Sequence, residues 1–533
     1  MHLRRFEGGM QMKKKMAAVL ISCLALAESL APMAAQASTV HYNDGTQVTS
    51  DQSFAQWSEE WKEVAEDYTK VSMTPGENET ELNFAWMTKK DAKNAATPVV
   101  LFGTSKKNLK KFTGTTEQTD SKLTGGVQYV SNKVTVTGLK PNTKYYYTVV
   151  KNGKEAEVRS YTTHDFSDIK VLYVGDPQIG ASKGQPQGSE KLTASDGAAN
   201  TAARNDAYEW DRTLKIAGGL NKDLDFIISA GDQVNKTGKA KEEEFAGYLN
   251  ASLLQYVPVA TTIGNHDSLT SDYKAHFNVP NATGNGATQA GGDYYYSYGE
   301  ALFIVLNTNN YNVAEHEKTM QEAVASDPDA RWKIVTIHQD IYGSGLDHSD
   351  TDGMILRTQL TPIFDKYDID VVLQGHDHTY SRSKLLYGDG KTHDSYEFQL
   401  NASGDDYDWD HAHDTTTDEQ IALYPEDSDK TAKAALDSFA KDNHCYTLED
   451  VTGNTVTDPV GTLYMTANSA SGSKYYELAT TQQDYIAERS QNWLPSYSVI
   501  EITDSKFVID TYQILDNGTV EKIDDTFTIQ KTK

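Results

Sequence analysis

The chain has 533 residues, a length that implies two or three domains with ample core. Its formal net charge of −27 argues against nucleic-acid binding through a basic surface and suits solubility outside the cell. Tyr (31) outnumbers Phe (15), which favours β-rich structure with half-exposed faces.

Residues 1–37 read as a secretory signal. Lys13, Lys14 and Lys15 form a positive head, and Met16 to Leu26 is apolar but too short to span a bilayer. Ala35-Gln36-Ala37 fits a cleavage site that leaves Ser38 first, and translation from Met10 or Met12 would serve the signal equally well. Leu20-Ile21-Ser22-Cys23 resembles a lipoprotein box only weakly, because apolar sequence continues past the cysteine. Cleavage would leave Cys445 alone, so no internal disulfide is expected, and the location implied is extracellular by bacterial export. No later apolar run reaches transmembrane length, so no membrane anchor is expected.

Residues 38–70 form an N-terminal segment whose later part is polar and helical in pattern, with Trp57 and Trp61 four apart. Residues 71–165 read as short strands and turns. Leu82, Phe84 and Trp86 alternate onto one face, and Val134 to Thr137 alternates too. Leu139, Pro141, Thr143, Tyr145 and Tyr147 then fall at every second position, which resembles the tyrosine-corner strand of a fibronectin type III-like sandwich.

From residue 166 the rhythm becomes α/β. Predicted strands are Ile169–Val174, Phe226–Ala230, Val257–Ile263, Ala301–Asn307, Ile334–Ile337 and Ile369–Leu373. Predicted helices lie at 204–220, from about Lys241, and at 314–326. Residues 385–455, rich in Asp, Gly and Thr, read as an insertion. Strand pattern returns at Gly461–Ala467, Tyr497–Thr503, Phe507–Ile514 and Thr526–Ile529.

Metal-type residues follow five of these strands in order. They are Gly175-Asp176-Pro177-Gln178, Gly231-Asp232-Gln233-Val234-Asn235, Gly264-Asn265-His266-Asp267, His338-Gln339-Asp340 and Gly375-His376-Asp377-His378. Each motif alone is weak, since an Asp after a strand usually caps a turn. Five in series, each at the end of an apolar strand, point to one site, because open α/β sheets collect ligands where strands end. With so acidic a chain, a phosphate site must supply its own positive charge, and bound metal ions would do so.

In this order the motifs resemble the metallophosphoesterase superfamily, most closely its purple acid phosphatase-like branch, and the fibronectin-like segment strengthens the choice of branch. The resemblance covers about residues 70–385 and the terminal strands. It implies a fibronectin type III-like β-sandwich followed by an α/β/β/α sandwich catalytic domain over 166–533. It assigns one metal to Asp176, Asp232 and His378, and a second to Asp232, Asn265, His338 and His376, with Asp232 as the bridge. Mixed carboxylate, amide and imidazole ligands suit Fe, Mn or Zn rather than Ca.

Two positions depart from that pattern. Asn235 stands where purple acid phosphatases place a ligand Tyr, so no tyrosinate-to-iron colour is expected. For Gln178 two readings stay open: its amide oxygen binds the first metal, or it supports the ligands from behind. His266 resembles the family's phosphate-contacting His, and His348 is a candidate for a second. Asp267 and Asp340 are expected to orient ligand histidines.

The activity implied is hydrolysis of small phosphate monoesters by direct attack of a metal-held hydroxide, with His266 or His348 assisting the leaving oxygen. A phosphodiesterase or nucleotidase on the same site is the nearest alternative. A non-catalytic surface binding protein is the remote one, and the complete ligand set argues against it. No phosphate-binding loop, serine elbow or cysteine nucleophile competes for the role.

Overall fold

Along Ile169–Val174, Leu172 and Val174 point one way and Val171 and Tyr173 the other, yet all four are buried. A strand apolar on both faces needs cover on both. The computed structural model describes residues 52–90, 97–184, 198–346 and 351–532, except 403, 405, 406, 410, 424 and 427, and it shows where that cover comes from. The signal-peptide reading of residues 1–37 falls outside the described residues.

Two sheets face each other. Among the described residues, one runs Val259–Thr261, Phe226–Ser229, Ile169–Val174, Ser496–Ile502, Lys506–Ile514, Phe527–Gln530 and Thr455–Thr457. The other runs Tyr294–Tyr298, Ala301–Val305, Trp332–Thr336, Val371–Gln374, Leu463–Thr466, Tyr380–Ser383 and Ile486–Ser490. Val171 and Tyr173 meet Val371 and Leu373 between the sheets. On the outside, Leu172 and Val174 pack on Trp210 and Leu214 of the helix Ala198–Leu220. On the opposite outside, Val335 and Val372 share a cluster with Met320, Leu356 and Leu360 from the helices Val313–Ser326 and Thr351–Lys366. The layers are therefore α/β/β/α.

Within each sheet the central pairings are parallel: Ile169–Val174 with Phe226–Ser229, and Trp332–Thr336 with its neighbours Ala301–Val305 and Val371–Gln374. Their C-terminal ends share one edge, which is where the five motifs emerge.

Ahead of this domain lies a β-rich one. One sheet holds Val71–Pro75, Glu81–Lys89, Tyr129–Thr137 and Thr115–Gln118, and the other is built on Val99–Gly103 and Lys144–Lys151. Leu82, Phe84 and Trp86 lie in its core with Val134, Val136 and Tyr147, as their alternation predicts. The Tyr145 hydroxyl accepts a hydrogen bond from the backbone N–H of Lys140 at 2.8 Å, the bond of a tyrosine corner. This domain packs on the α/β domain: Thr74 donates to the Asn278 carbonyl at 2.6 Å, Ser131 to that of Ala275 at 2.7 Å and Tyr147 to that of Gln255 at 2.8 Å. The preceding helix, Gln52–Glu66, buries Trp61 in the same core as Trp210.

Several elements differ from expectation. The strand expected over Val257–Ile263 spans only Val259–Thr261, because Pro258 has no N–H to offer a neighbour. The strand Tyr294–Tyr298 and the helix Thr351–Lys366 carry no sequence pattern that singled them out; the helix includes Gly353 and Pro362. Residues 385–455, read as an insertion, contain the helix Lys430–Asp442, and Phe439, Tyr396 and Cys445 join the helical face of the second sheet.

Asp225 opens the strand Phe226–Ser229 and is buried, accepting from the Lys170 N–H at 2.8 Å and the Tyr298 hydroxyl at 3.1 Å. Burial pushes its carboxyl up to about 7. The folded chain then holds this proton through a range in which the unfolded chain, with its carboxyl near about 4, has released it. This contribution is full at low pH and is lost as pH rises towards the folded value. Asp225→Asn should therefore make stability less steeply dependent on pH between about 4 and 7, by up to ~1.4 kcal/mol per pH unit, in urea unfolding across that range.

Candidate metal centre

The strand ends turn sharply. Asp176 (φ 46°), Gln178 (36°), Asp232 (50°), His376 (71°) and His378 (47°) all adopt the left-handed region, which non-glycine residues rarely enter. Each such residue costs on the order of 1–3 kcal/mol and persists only where its surroundings over-determine it. Here they do. The Gln178 N–H donates to the Asp232 carbonyl at 2.8 Å, and the His376 N–H to both Asp176 carboxylate oxygens at 3.1 and 3.0 Å. The His266 N–H donates to Asp232 Oδ1 at 3.0 Å. Gly264 makes this approach possible: a Cβ there would lie 2.0 Å from Asp232 Oδ1.

The side chains converge across the seam between the sheets. Asp176 and Asp232 leave the first sheet, and His338, His376 and His378 the second. Ligand atoms of Asp176, Asp232 and His338 all lie within 4.8 Å of one another, and all three residues are buried. His338 Nδ1 lies 2.9 Å from the Ala230 carbonyl, and His378 Nδ1 lies 2.8 Å from that of Lys474. A carbonyl only accepts, so in each ring Nδ1 carries the proton and Nε2 presents a lone pair. His338 Nε2 stands 3.0 Å from Asn265 Oδ1 and 3.5 Å from Asp232 Oδ1. His378 Nε2 stands 3.7 Å from Asp176 Oδ1. Acceptors are thus turned towards acceptors, an arrangement that a cation satisfies. His376 is also buried, its ring centroid 4.8 Å from that of His338.

Electrostatics carry the same message. Burial pushes the Asp176 carboxyl well above its usual range, and the charge of Asp232 adds to this. Burial also opposes ionisation of Asp232, and its carboxyl is held down by positive charge at the imidazoles of His338, His266 and His376, a charge that a bound cation would supply in place of protonated rings. Burial holds the His378 imidazole far below its usual value, in the neutral form that ligates metals. Two buried carboxylates side by side ionise together only if positive charge is placed between them. Gln178 supplies a further sign: its side chain is fully buried and neither amide atom has a protein partner. A buried amide without a protein partner, two residues after Asp176, has its oxygen available to a cation. The residues present fit a bound metal.

The other expected residues fall as follows. His266 is half-buried, with Nδ1 3.0 Å from the Thr237 hydroxyl and hydrogen-bonded to the Asn235 carbonyl, and Nε2 lies 3.9 Å from Asp232 Oδ2. Burial lowers its imidazole below the usual value. Asn235 takes part through that carbonyl. His348 lies outside the described residues. Asp267 and Asp340 do not play the orienting part foreseen for them. Asp267 accepts from the backbone N–H groups of Gly264 at 3.0 Å and Gln233 at 3.3 Å, and Asp340 from the Gln374 amide at 2.9 Å. They brace the loops, while the backbone carbonyls of Ala230 and Lys474 orient the imidazoles.

Some supporting residues escaped the sequence reading. Ser469 donates to the Asp176 carbonyl at 2.9 Å, and Ser471 and Ser473 to that of Pro177 at 2.5 and 3.2 Å. This loop follows the strand Leu463–Thr466 and fastens the first motif to the second sheet. Glu244 accepts from the N–H groups of Asn235 and Lys236, both at 3.0 Å, and the buried Lys241 donates to the His266 carbonyl at 2.6 Å. A strand followed by Ser469-Ala-Ser471-Gly-Ser473 was the only available signal for the first group.

Comparison with known proteins agrees with this geometry. Residues 169–380 match the calcineurin-like phosphoesterase family, and residues 68–163 match the purple acid phosphatase N-terminal domain. An uncharacterized protein of Mycobacterium tuberculosis is 22% identical over 334 residues, covering 58% of this chain and 60% of its own length. Purple acid phosphatase 21 of Arabidopsis thaliana is 24% identical over 270 residues, covering 48% of this chain and 53% of its own. The chain thus spans about 60% or less of the length of these relatives. Among solved structures, purple acid phosphatase PPD1 from yellow lupin (Lupinus luteus) seeds superposes with a TM-score of 0.57 at 15% identity, over 87% of this chain and 74% of that one. PhoD does so with a TM-score of 0.51 at 12% identity, over 87% and 90%. At such identities these two show a shared fold.

Gly264→Ala tests the packing without touching a ligand. The added methyl should displace Asp232, so bound metal in the purified protein, measured by elemental analysis, should fall well below the parent's. The same change at Gly219, which has ordinary φ and nothing within 4 Å of an added Cβ, should leave metal content unchanged.

Proposed function

The chain joins a calcineurin-like metallophosphoesterase domain to a purple acid phosphatase N-terminal domain, and on that premise we propose that it is a secreted dimetal phosphoesterase that hydrolyses phosphate monoesters. One observation carries this reading: Nε2 lone pairs of His338 and His378, fixed by carbonyls behind each ring, are aimed at the buried carboxylates of Asp176 and Asp232.

In this proposal Asp176, Asp232, His378 and the orphan amide of Gln178 hold one ion. Asp232, Asn265, His338 and His376 hold the other. When bound, such ions supply positive charge for phosphate oxygens and make water acidic enough to deprotonate near neutral pH. The protein's own part is positioning and exclusion. Asp232 spans both halves, and the braced loops keep the cleft from relaxing. His266, with Nδ1 tied down, turns Nε2 towards the cleft, where it can donate to the oxygen of the departing alkoxide once protonated. In this reading attack is direct and in line.

Metals remain Fe, Mn or Zn. With Asn235 in place of a tyrosinate, the loaded enzyme should be colourless in the region where purple acid phosphatases absorb, which a visible spectrum of the concentrated protein checks. Export rests on Lys13 to Lys15, the apolar Met16–Leu26 stretch and Ala35-Gln36-Ala37. Intact mass of protein recovered from the medium should correspond to a chain beginning at Ser38.

The central test is elemental analysis combined with phosphate release. The purified protein should carry two metal ions per chain and should cleave p-nitrophenyl phosphate faster than bis(p-nitrophenyl) phosphate. Asp232→Asn should lower the monoester rate by about 10³-fold or more, as expected when a shared ligand to both ions loses its charge. Unchanged turnover in that variant would refute the site, and a diester preference would move the assignment to a phosphodiesterase.

A further inference from the structure

Charge is divided unevenly between the two domains. Residues 68–163 carry 15 Lys and Arg against 8 Asp and Glu, a net of +7 in a chain of −27, so the rest of the chain carries −34. The imbalance is sharpest over residues 97–154, where ten lysines stand against two acids earlier than Glu155, namely Glu117 and Asp120. Strand pairing gathers several of these lysines. Val99–Gly103 lies between Lys110–Thr113 and Lys144–Lys151, and Arg159–Thr162 pairs with the far side of Lys144–Lys151. Val100, Phe102, Tyr145, Tyr147 and Tyr161 fill the core of the domain. By the two-residue period, Leu101, Lys111, Lys144 and Tyr146 therefore lie on the opposite, outer face.

On that face two lysines flank one ring. Lys106, in the turn after Val99–Gly103, places Nζ 5.2 Å from the centroid of Tyr146, and Lys144 places its own 5.9 Å from the same centroid. Lys111 stands across from Leu101 on the outermost strand. All three lysines are exposed, and among the described residues none of them forms an ion pair. Glu155, opposite Val150 at the other end of the strand, is the one acid among the described strand residues of this face. Two ammonium groups beside one ring, with no carboxylate between them, repel each other, and an anion above the ring relieves that repulsion. A single exposed lysine–phosphate pair contributes little, because water and salt screen it. A ligand that engages several lysines at once gains from each. The acidic domain does not cancel the gain, since its field fades beyond a Debye length of about 8–10 Å.

We propose that this face of the N-terminal domain docks the protein onto a linear phosphate polymer without bases, through Lys106, Lys111 and Lys144. The choice of phosphate as the anion rests on the phosphoesterase reading above, since the metal centre recognises the same group; the charge complementarity stands without it. No large apolar side chain is exposed on this face among the described residues, so a bilayer gains no insertion there. Tyr146 is a single ring already flanked by two cations, so successive nucleobases find no stacking platform. Docking leaves the rest of the molecule undisturbed. The hydrogen bonds to the α/β domain come from Thr74, Ser131 and Tyr147, none of which lies on this face.

The test uses the metal-loaded full-length protein and long-chain inorganic polyphosphate as the probe, with affinity measured between about 50 and 200 mM salt. The parent should bind, with affinity falling steeply as salt rises. The triple variant Lys106→Gln, Lys111→Gln, Lys144→Gln should bind about 10-fold or more weakly, with the slope of log affinity against log salt reduced by about 2. Its kcat/KM for p-nitrophenyl phosphate, measured without polymer, should stay within about twofold of the parent's, which reports an intact fold. Arg at the same three positions should restore binding. A control with Lys222, Lys318 and Lys506 changed to Gln, exposed lysines of the α/β domain, alters net charge equally and should bind like the parent. The inference is overturned if the parent does not bind polyphosphate, if the triple variant binds as the parent does, or if the control loses as much. Tighter binding to phosphatidylglycerol vesicles or to single-stranded DNA than to polyphosphate would also overturn it. If the parent binds polyphosphate through these lysines yet releases phosphate from no ester, the phosphoesterase reading fails and the docking face stands.

Discussion

Two buried carboxylates, Asp176 and Asp232, set the terms for everything around them. Neither is near enough to bulk water to be solvated, and each makes the other harder to ionise. A chain that buries such a pair either protonates one member or supplies countercharge. Here the surroundings are built for countercharge. Neutral imidazoles turn lone pairs inward, an amide is left without a protein partner, and backbone N–H groups of His266 and His376 hold the carboxylate oxygens in place. The strained backbone at five positions is the local cost of that convergence, and dense hydrogen bonding offsets it.

Since the two carboxylates come from one sheet and the three imidazoles from the other, no local segment can form the site by itself. The inter-sheet core that holds Val171 and Tyr173 against Val371 and Leu373 also sets the spacing of the ligands. Tyr173 links the halves directly: its hydroxyl bonds the Gln374 and Met465 carbonyls of the second sheet. Packing and site geometry are therefore one constraint seen at two depths, and a cavity opened at the seam would be felt first by the ligands.

Much of this was legible in the sequence because parallel strands covered on both faces are written as unbroken apolar runs, and the motifs stand at their ends. Ile169–Val174 followed by Gly175-Asp176 is read almost without competition. The fibronectin-like domain was legible for a different reason, the period-two alternation of Leu82, Phe84 and Trp86. What escaped was support rather than ligation. Glu244 sits in the run Glu242-Glu243-Glu244, which looks like a solvated helical face, yet Glu242 and Glu244 are buried and Glu244 clamps the loop after Asp232. The orienting groups behind the histidines are backbone carbonyls, which leave no mark on the sequence. Asp340 and Asp267, chosen because carboxylates often do that work, brace loops instead.

The Ser469–Ser473 loop shows why distance along the chain hides function. Its partners, Asp176 and Pro177, lie nearly 300 residues earlier, and serines and glycines are ordinary loop residues until that contact exists. Once it exists, the order of the chain acquires a mechanical meaning. Ser496–Ile502 pairs antiparallel with Ile169–Val174, and Gly175 bridges to Ser469. Asp176 is thus held by residues of the last third of the chain, the His376 N–H and the Ser469 hydroxyl, while Asp232 accepts from the His266 N–H and Asn265 faces His338. Each ligand of the site is fixed by a segment distant from it in the chain, so the site and the seam between the sheets form as one structure.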